Sequence, residues 1–228
     1  SGKTTTLYAA LTELNDDERN IMTLEDPIEY HLAGINQVAV NSRQGMTFEK
    51  GLESFLRQDP DVIMVGEIRN LETAQIAIRA SLTGHLLLST LHTNNAPETL
   101  HRLMDMGVEP FLLGSGVIQV VAQRLVRRLC ARCRQPSPVA DHLRGDIERA
   151  GWTGGPVHRA VGCDDCEHTG YRGQVAVYEN MVVTQEMRDH LYRRADMDVI
   201  YRIAREQGMT TLQEAALSHV VRGVTSLE

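Results

Sequence analysis

Aromatic residues are scarce: three Phe, six Tyr and one Trp make up 4% of the chain. Proteins that bind single-stranded nucleic acid stack bases on side-chain rings, so this composition argues against such a role. Basic residues are not in excess either. The 23 Lys and Arg against 30 Asp and Glu leave a net charge of −7, with no overall attraction for nucleic acid or for an anionic bilayer. No apolar run approaches the roughly 20 residues needed to span a membrane. Cysteine is absent outside two Cys-x-x-Cys pairs, Cys130 with Cys133 and Cys163 with Cys166. That usage suits metal binding in a reducing cytosol better than a secreted disulfide framework. What is present, 42% hydrophobic residues and 18 glycines over 228 positions, fits a sizeable small-aliphatic α/β core with a smaller appendage.

The most informative stretch is Arg57 to Arg69. Val62-Ile63-Met64-Val65, between Pro60 and Gly66, is a short apolar run of the kind found in central strands of parallel sheets, and it delivers Glu67 at its carboxyl end. In open α/β sheets ligands bind at that edge, which makes Glu67 a candidate for contact with a metal ion, a phosphate-bound water or a ribose. Asn20 to Leu24 reads as another strand, ending in Glu25 and Asp26 before Pro27 stops further pairing. His85 precedes a third strand, Leu86 to Leu91, and His92 ends it. A ring N–H at that position suits sensing of a terminal phosphate.

The chain opens Ser1-Gly2-Lys3-Thr4-Thr5-Thr6 and runs directly into a helix-forming segment, Thr4 to Leu14. This is the second half of a phosphate-binding loop, and the strand feeding the loop is expected to precede residue 1. A helix N-terminus offers free N–H groups and a positive dipole end to phosphate, Lys3 adds a point charge for the β- and γ-phosphates, and the Thr4 hydroxyl suits Mg²⁺. A phosphate loop with two acidic strand ends is what ATP hydrolysis with Mg²⁺ requires.

Between these motifs, Gln37 to Asn41 alternates like an edge or hairpin strand, Thr47 caps a helix from Phe48 to Arg57, and Asn70 caps one from Leu71 to Leu82 that Gly84 stops. Pro97 opens a helix through Met106. Strands alternating with helices at this spacing predict a doubly wound parallel sheet. Glu109-Pro110 is expected to open a long helix to Leu129, because Val117, Val120, Val121 and Leu125 recur at helical spacing. Its end is rich in arginine (Arg124, Arg127, Arg128, Arg132, Arg134), a solvated face or a contact for an acidic partner or anionic lipid. Each cysteine pair is a knuckle whose two-residue gap turns both thiolates toward one tetrahedral centre, so the four predict one structural Zn²⁺. The 29 residues between the pairs, 134–162, exceed a zinc ribbon and predict an inserted subdomain. Helices are expected over Met197 to Gln207 and Leu212 to Arg222, the second with a Thr211/Glu214 capping box.

Together, Ser1 to Thr6, Thr23 to Tyr30, Leu56 to Asn70 and Thr83 to Asn95 resemble the Walker A, aspartate box, Walker B and histidine box of the secretion ATPases that drive type II secretion and type IV pilus assembly. The tetracysteine element and the motif order extend the resemblance over essentially the whole chain. Gly66 stands where generic P-loop enzymes carry Asp, and the family does the same.

The resemblance implies an α/β fold with a RecA-like P-loop core over 1–125, a tetracysteine zinc-binding subdomain over 126–175 and a C-terminal helical segment over 176–228. It implies a hexameric, cytoplasmic ATPase, peripheral to the bacterial inner membrane, that works with inner-membrane platform and adaptor proteins and needs ATP, Mg²⁺ and Zn²⁺. Nucleotide would meet Ser1, Gly2, Lys3, Thr4 and Thr5, and Mg²⁺ would meet Thr4 and Glu67. His92 would lie near the γ-phosphate. Glu25 and Glu29 would be the aspartate-box carboxylates, with Glu25 polarising the attacking water unless Glu67 exchanges roles with it. Asp26, Arg69 and His85 would support them, Arg69 by bracing a carboxylate. Type II secretion is the preferred reading. Pilus extension or retraction is the nearest rival, and a nucleic-acid motor or an inactive zinc interaction module are more distant ones.

Overall fold

The computed structural model describes residues 2–194 and 196–227. Its contacts group the chain into two units. One comprises Lys3–Val120 with Met181–Gln207; the other comprises Val121–Asn180 with Gly2 and the described residues from Gly208 on.

In the first unit, after helix α1 (Lys3–Leu14), strands β1 (Ile21–Glu25), β2 (Asn36–Ala39), β3 (Val62–Val65) and β4 (Leu86–Ser89) form one sheet. The order is β2-β1-β3-β4 and every pair is parallel. β3 is buried at all four positions, as an unbroken apolar strand covered on both faces should be. Strand parity sorts the faces. Ile21, Val62 and Met64 pack with Tyr8 and Leu11 of α1. Leu24, Ile63 and Val65 pack on the other side with α2 (Phe48–Phe55) and α3 (Leu71–Leu82). This is the doubly wound arrangement predicted from the strand and helix alternation. Thr23 and Glu25 share the parity of Ile21, so they too belong to the α1 face.

Local chemistry sets the helix starts. The Thr47, Asn70 and Asn95 side chains accept hydrogen bonds from the N–H groups of Lys50, Thr73 and Glu98, each at the start of α2, α3 or α4 (Ala96–Asp105). β2 runs parallel to β1, so it is an edge strand and not half of a hairpin.

The expected long helix from Pro110 to Leu129 does not form. A short α5 (Pro110–Gly116) ends at its second glycine, and residues from Gln119 onward are strand β5 (Gln119–Leu129). Val117, Ile118, Val120, Val121 and Val126 are all β-branched, which favours a pleated strand over a helix despite the helical spacing of the apolar residues. The glycines of α5 have a packing reason. A Cβ at Gly114 would stand 2.6 Å from the Tyr192 ring, and one at Gly116 would stand 2.6 Å from Ile78 Cγ2. Helices α7 (Gln185–Tyr192) and α8 (Met197–Glu206) complete this unit by packing on α5 and α4.

In the second unit, β5 pairs with β8 (Tyr171–Val182). Between the cysteine pairs, β6 (Gln135–Ser137) and β7 (Val157–Arg159) form a short antiparallel ladder with α6 (Arg144–Arg149) between them in sequence. Val139, Ile147 and Val157 make a small core with Val220 of α9 (Leu212–Val221), whose start carries the expected Thr211/Glu214 capping box. The small core of segment 134–162 is thus completed by α9. No helix among the described residues is long and apolar enough to cross a membrane.

Candidate functional site

Parallel strands deliver their carboxyl ends to one edge of the sheet. Glu25 closes β1, Gly66-Glu67 follows β3, and Leu91-His92 follows β4. The connecting backbone is pinned across the strands: Gly66 N–H donates to Leu24 O (2.8 Å), Ile68 N–H to Thr90 O (3.0 Å) and Thr90 Oγ1 to Gly66 O (2.8 Å). Glycine at position 66 follows from this closeness. A Cβ there would lie 3.3 Å from the Leu24 carbonyl oxygen and 3.5 Å from Glu25 Cα, both backbone atoms with little freedom to yield.

Glu67 stands between a guanidinium and an imidazole. Arg69 pairs with its Oε1, and His92 Nε2 lies 3.2 Å from its Oε2. The hydrogen bond from Arg69 acts most strongly, His92 adds to it, and together they hold the Glu67 carboxyl below its ordinary range against the opposing effect of burial. Arg69 also reaches Asp26 Oδ2 at 3.5 Å, so one guanidinium spans the acidic turns after β1 and β3. The Glu67 side chain keeps 18% of its surface exposed, and His92 is largely in solvent. Lys3 Nζ donates to the Leu91 carbonyl at 2.9 Å, which brings the first turn of α1 beside the residue preceding His92. Gly2, just before it, adopts a left-handed φ of 72°.

Glu25 is in a different situation. It is 2% exposed, and both oxygens are occupied: Tyr8 donates to Oε2, while Thr23 Oγ1 (2.5 Å) and Gln37 Nε2 (3.1 Å) donate to Oε1. The carboxylate favoured in sequence for polarising water is therefore turned toward α1, and Glu67 is the one with solvent access. Tyr8, Thr23 and Gln37 went unnoticed in the sequence. The available signals were the i, i+2 relation of Thr23 to Glu25 and a tyrosine on the otherwise aliphatic buried face of α1.

Other expected residues lie nearby or elsewhere. Thr4 is half-buried in the first turn of α1 and Thr5 is exposed. Ser1 lies outside the described residues. Glu29 is exposed, with its N–H directed at Tyr8 Oη (3.3 Å). His85 is at the opposite end of β4 from His92. Its Nδ1 lies 2.9 Å from Ala80 O and 3.1 Å from Thr83 Oγ1, where it closes the end of α3.

The four cysteine sulfurs lie within 4.8 Å of one another, with Cys130–Cys163, Cys133–Cys166 and Cys163–Cys166 separations of 3.9, 3.8 and 3.8 Å. Zn–S bonds of about 2.3 Å in a tetrahedron require S···S distances of about 3.8 Å, so the four thiols fit one zinc ion. Backbone N–H groups of Gly162, Cys163 and Gly170 point at the sulfurs of Cys133, Cys166 and Cys166 at 3.2–3.3 Å, as they should for thiolates. Burial raises the Cys163 thiol to about 11. At Cys166 burial again acts upward most strongly, but the two N–H donors together with the neighbouring Cys163 and Cys133 thiols outweigh it and bring the thiol down to about 7. The arginine-rich stretch is not a free patch. Arg127 stacks 3.8 Å over the Tyr171 ring, Arg132 pairs with Asp165, and Arg134 donates to Gly223 O.

An open parallel sheet covered by helices on both faces, with a Gly-Lys-Thr helix start and acidic strand ends on one edge, defines a RecA-like P-loop nucleotide-binding fold. The chain belongs to the Type II/IV secretion system protein family, which it matches over residues 1–228. Type II secretion system protein E of Aeromonas hydrophila is 50% identical to it over 228 residues, covering 100% of this chain and 45% of that protein. Type II secretion system ATPase E of Vibrio cholerae is 48% identical, with the same coverage of each. The chain thus spans less than half the length of these relatives. The crystal structure of the pilus retraction motor PilT with bound ADP superposes with a TM-score of 0.72 at 27% identity, covering 100% of this chain and 56% of PilT.

Proposed function

We propose that this chain carries the ATP-hydrolysing site of a hexameric motor that powers pseudopilus assembly and protein export through a type II secretion system. The observation that carries the reading is the contact chain at the carboxyl edge of the sheet, in which residues as distant in sequence as Lys3, Asp26, Glu67, Arg69 and His92 meet through side chains or adjoining backbone. The relatives at about 50% identity favour secretion over pilus retraction, since PilT shares only 27%.

In this reading Lys3 leaves the Leu91 carbonyl for the β- and γ-phosphates, and the N–H groups at the start of α1 face the same phosphates. Thr4 and Glu67 offer hard oxygen donors of the kind Mg²⁺ takes; the ion would supply charge neutralisation on the phosphate oxygens. Glu67, kept ionised by Arg69, also orients the attacking water, and His92 reports the terminal phosphate to it. Glu25 and Glu29 shape the acidic turn, and Asp26 anchors Arg69. Residues 1–125 would be the motor part, 126–175 the zinc part and 176–228 the helical part. The site would work in the cytoplasm, at the inner face of the inner membrane, against platform and adaptor proteins. An anionic lipid contact through the arginines would have to displace the partners that Arg127, Arg132 and Arg134 already have.

Steady-state phosphate release by the full-length protein tests the reading. Turnover that disappears in Lys3→Ala, together with weakened ATP binding, is expected; turnover unaffected by Lys3→Ala would remove the proposal.

A further inference from the structure

We propose that Tyr8 is a positioning residue that ties α1 to the acidic turn after β1, with the buried Glu25 carboxylate as its anchor. The inference rests on the ATPase reading above and assigns this network a part in the chemistry at the sheet edge. Tyr8 lies five residues beyond Lys3 on α1, about 7.5 Å along the helix axis. It is 1% exposed, and its ring meets that of Tyr30 edge to face with centroids 4.6 Å apart. Its hydroxyl donates to Glu25 Oε2 and stands 3.3 Å from Glu29 N and 3.4 Å from Gln37 Nε2.

Gln37 extends the network into the same turn. Besides Glu25, it donates from Nε2 to Tyr30 O (3.2 Å) and accepts at Oε1 from Leu32 N–H (2.7 Å). The segment from Asp26 to Leu32 therefore hangs from Tyr8, Glu25 and Gln37. Asp26 in that segment holds Arg69, and Arg69 holds Glu67. A continuous set of contacts thus runs from the helix that begins with Lys3 and Thr4 to the carboxylate at the end of β3.

Stability alone does not account for this arrangement. A carboxylate 2% exposed, held by neutral donors and paired with no cation among the described residues, is costly compared with an aliphatic side chain at the same position. A buried charge with no evident gain in packing marks a constraint imposed by function. The hydroxyl is suited to be a permanent donor. Burial first, and the bond to Glu25 second, push Tyr8 up to about 12, so it stays protonated at any working pH.

Tyr8→Phe in the full-length protein removes the hydroxyl and keeps the ring packing. The expected result is a fall in kcat of about tenfold or more, with the KM for ATP within about twofold of wild type, because phosphate binding by Lys3 survives while Glu67 loses its register. Glu25→Gln is expected to give a similar loss, and the double variant to be no worse than the poorer single one, as for residues acting as a unit. A Tyr8→Phe protein with wild-type kcat overturns the proposal, as does a double variant whose losses multiply. If Tyr8→Phe does not fold, Gln37→Met carries the same test with the same two outcomes. The two readings fail separately. Wild-type turnover that is absent, or that Lys3→Ala leaves unchanged, removes the ATPase reading, whereas Lys3-dependent turnover with an unaffected Tyr8→Phe removes this inference alone.

Discussion

At the scale of single residues, the two carboxylates show how environment separates groups that look alike in sequence. Glu25 and Glu67 both end strands, yet parity turns Glu25 into the α1 face while Glu67 emerges past the strand end between Arg69 and His92. Sequence spacing gave the strand ends but not which side of the sheet the first carboxylate takes, because that depends on the helix packed against it. Gly66 gives a residue-scale prediction. Gly66→Ala would press a methyl group against the Leu24 carbonyl and the Glu25 backbone, so unfolding in urea should show a loss of about 1–2 kcal/mol. An unchanged midpoint would mean that β1 and β3 can separate freely at that end.

Among elements, the best-read were those whose ends carry their own chemistry. α3 starts at the Asn70 cap as expected, and β3 spans the apolar run Val62–Val65. The β5–β8 ribbon was illegible because its strands lie some 40 residues apart in sequence, and long-range pairing leaves no local periodicity. Between α2 and α3, Glu49 forms a clamp by accepting from Thr73 Oγ1 (2.6 Å) and Asn70 Nδ2 (3.0 Å). Burial acts upward on its carboxyl, but these donors, with Thr47 and the Glu49 backbone N–H, together outweigh it and lower it from the ordinary 4.5 to about 2. A carboxyl depressed in the folded state stabilises the fold above its unfolded value, and that contribution is lost as pH falls from about 4.5 toward 2. Glu49→Gln should therefore lower Tm by about 2–4 °C at pH 7 and by progressively less below pH 4.5. A Tm difference independent of pH would show that the ionised clamp contributes nothing.

For the whole molecule, the two cysteine pairs lie 29 residues apart in sequence, yet their sulfurs converge to the separations a single zinc ion needs. The segment they enclose has only a small core, of Val139, Ile147 and Val157 with Val220, so metal binding should contribute much of its folding free energy. Protein purified without chelator should hold close to one zinc per chain. Cys163→Ser with Cys166→Ser should lower Tm by more than about 5 °C while leaving ATP affinity within about twofold. Free thiols on all four cysteines in metal-free native protein would contradict the zinc assignment and leave the nucleotide site untouched.

The most direct test of the account is the nucleotide held by the full-length Glu67→Gln protein after incubation with ATP and Mg²⁺. Removing the charge of Glu67 while keeping Lys3, Thr4 and the start of α1 should abolish phosphate release and leave intact ATP bound, since that charge acts mainly as the transition state forms. Recovery of ADP at the wild-type rate, or loss of ATP binding equal to that of Lys3→Ala, would contradict the placement of the reaction at the Glu67 end of β3.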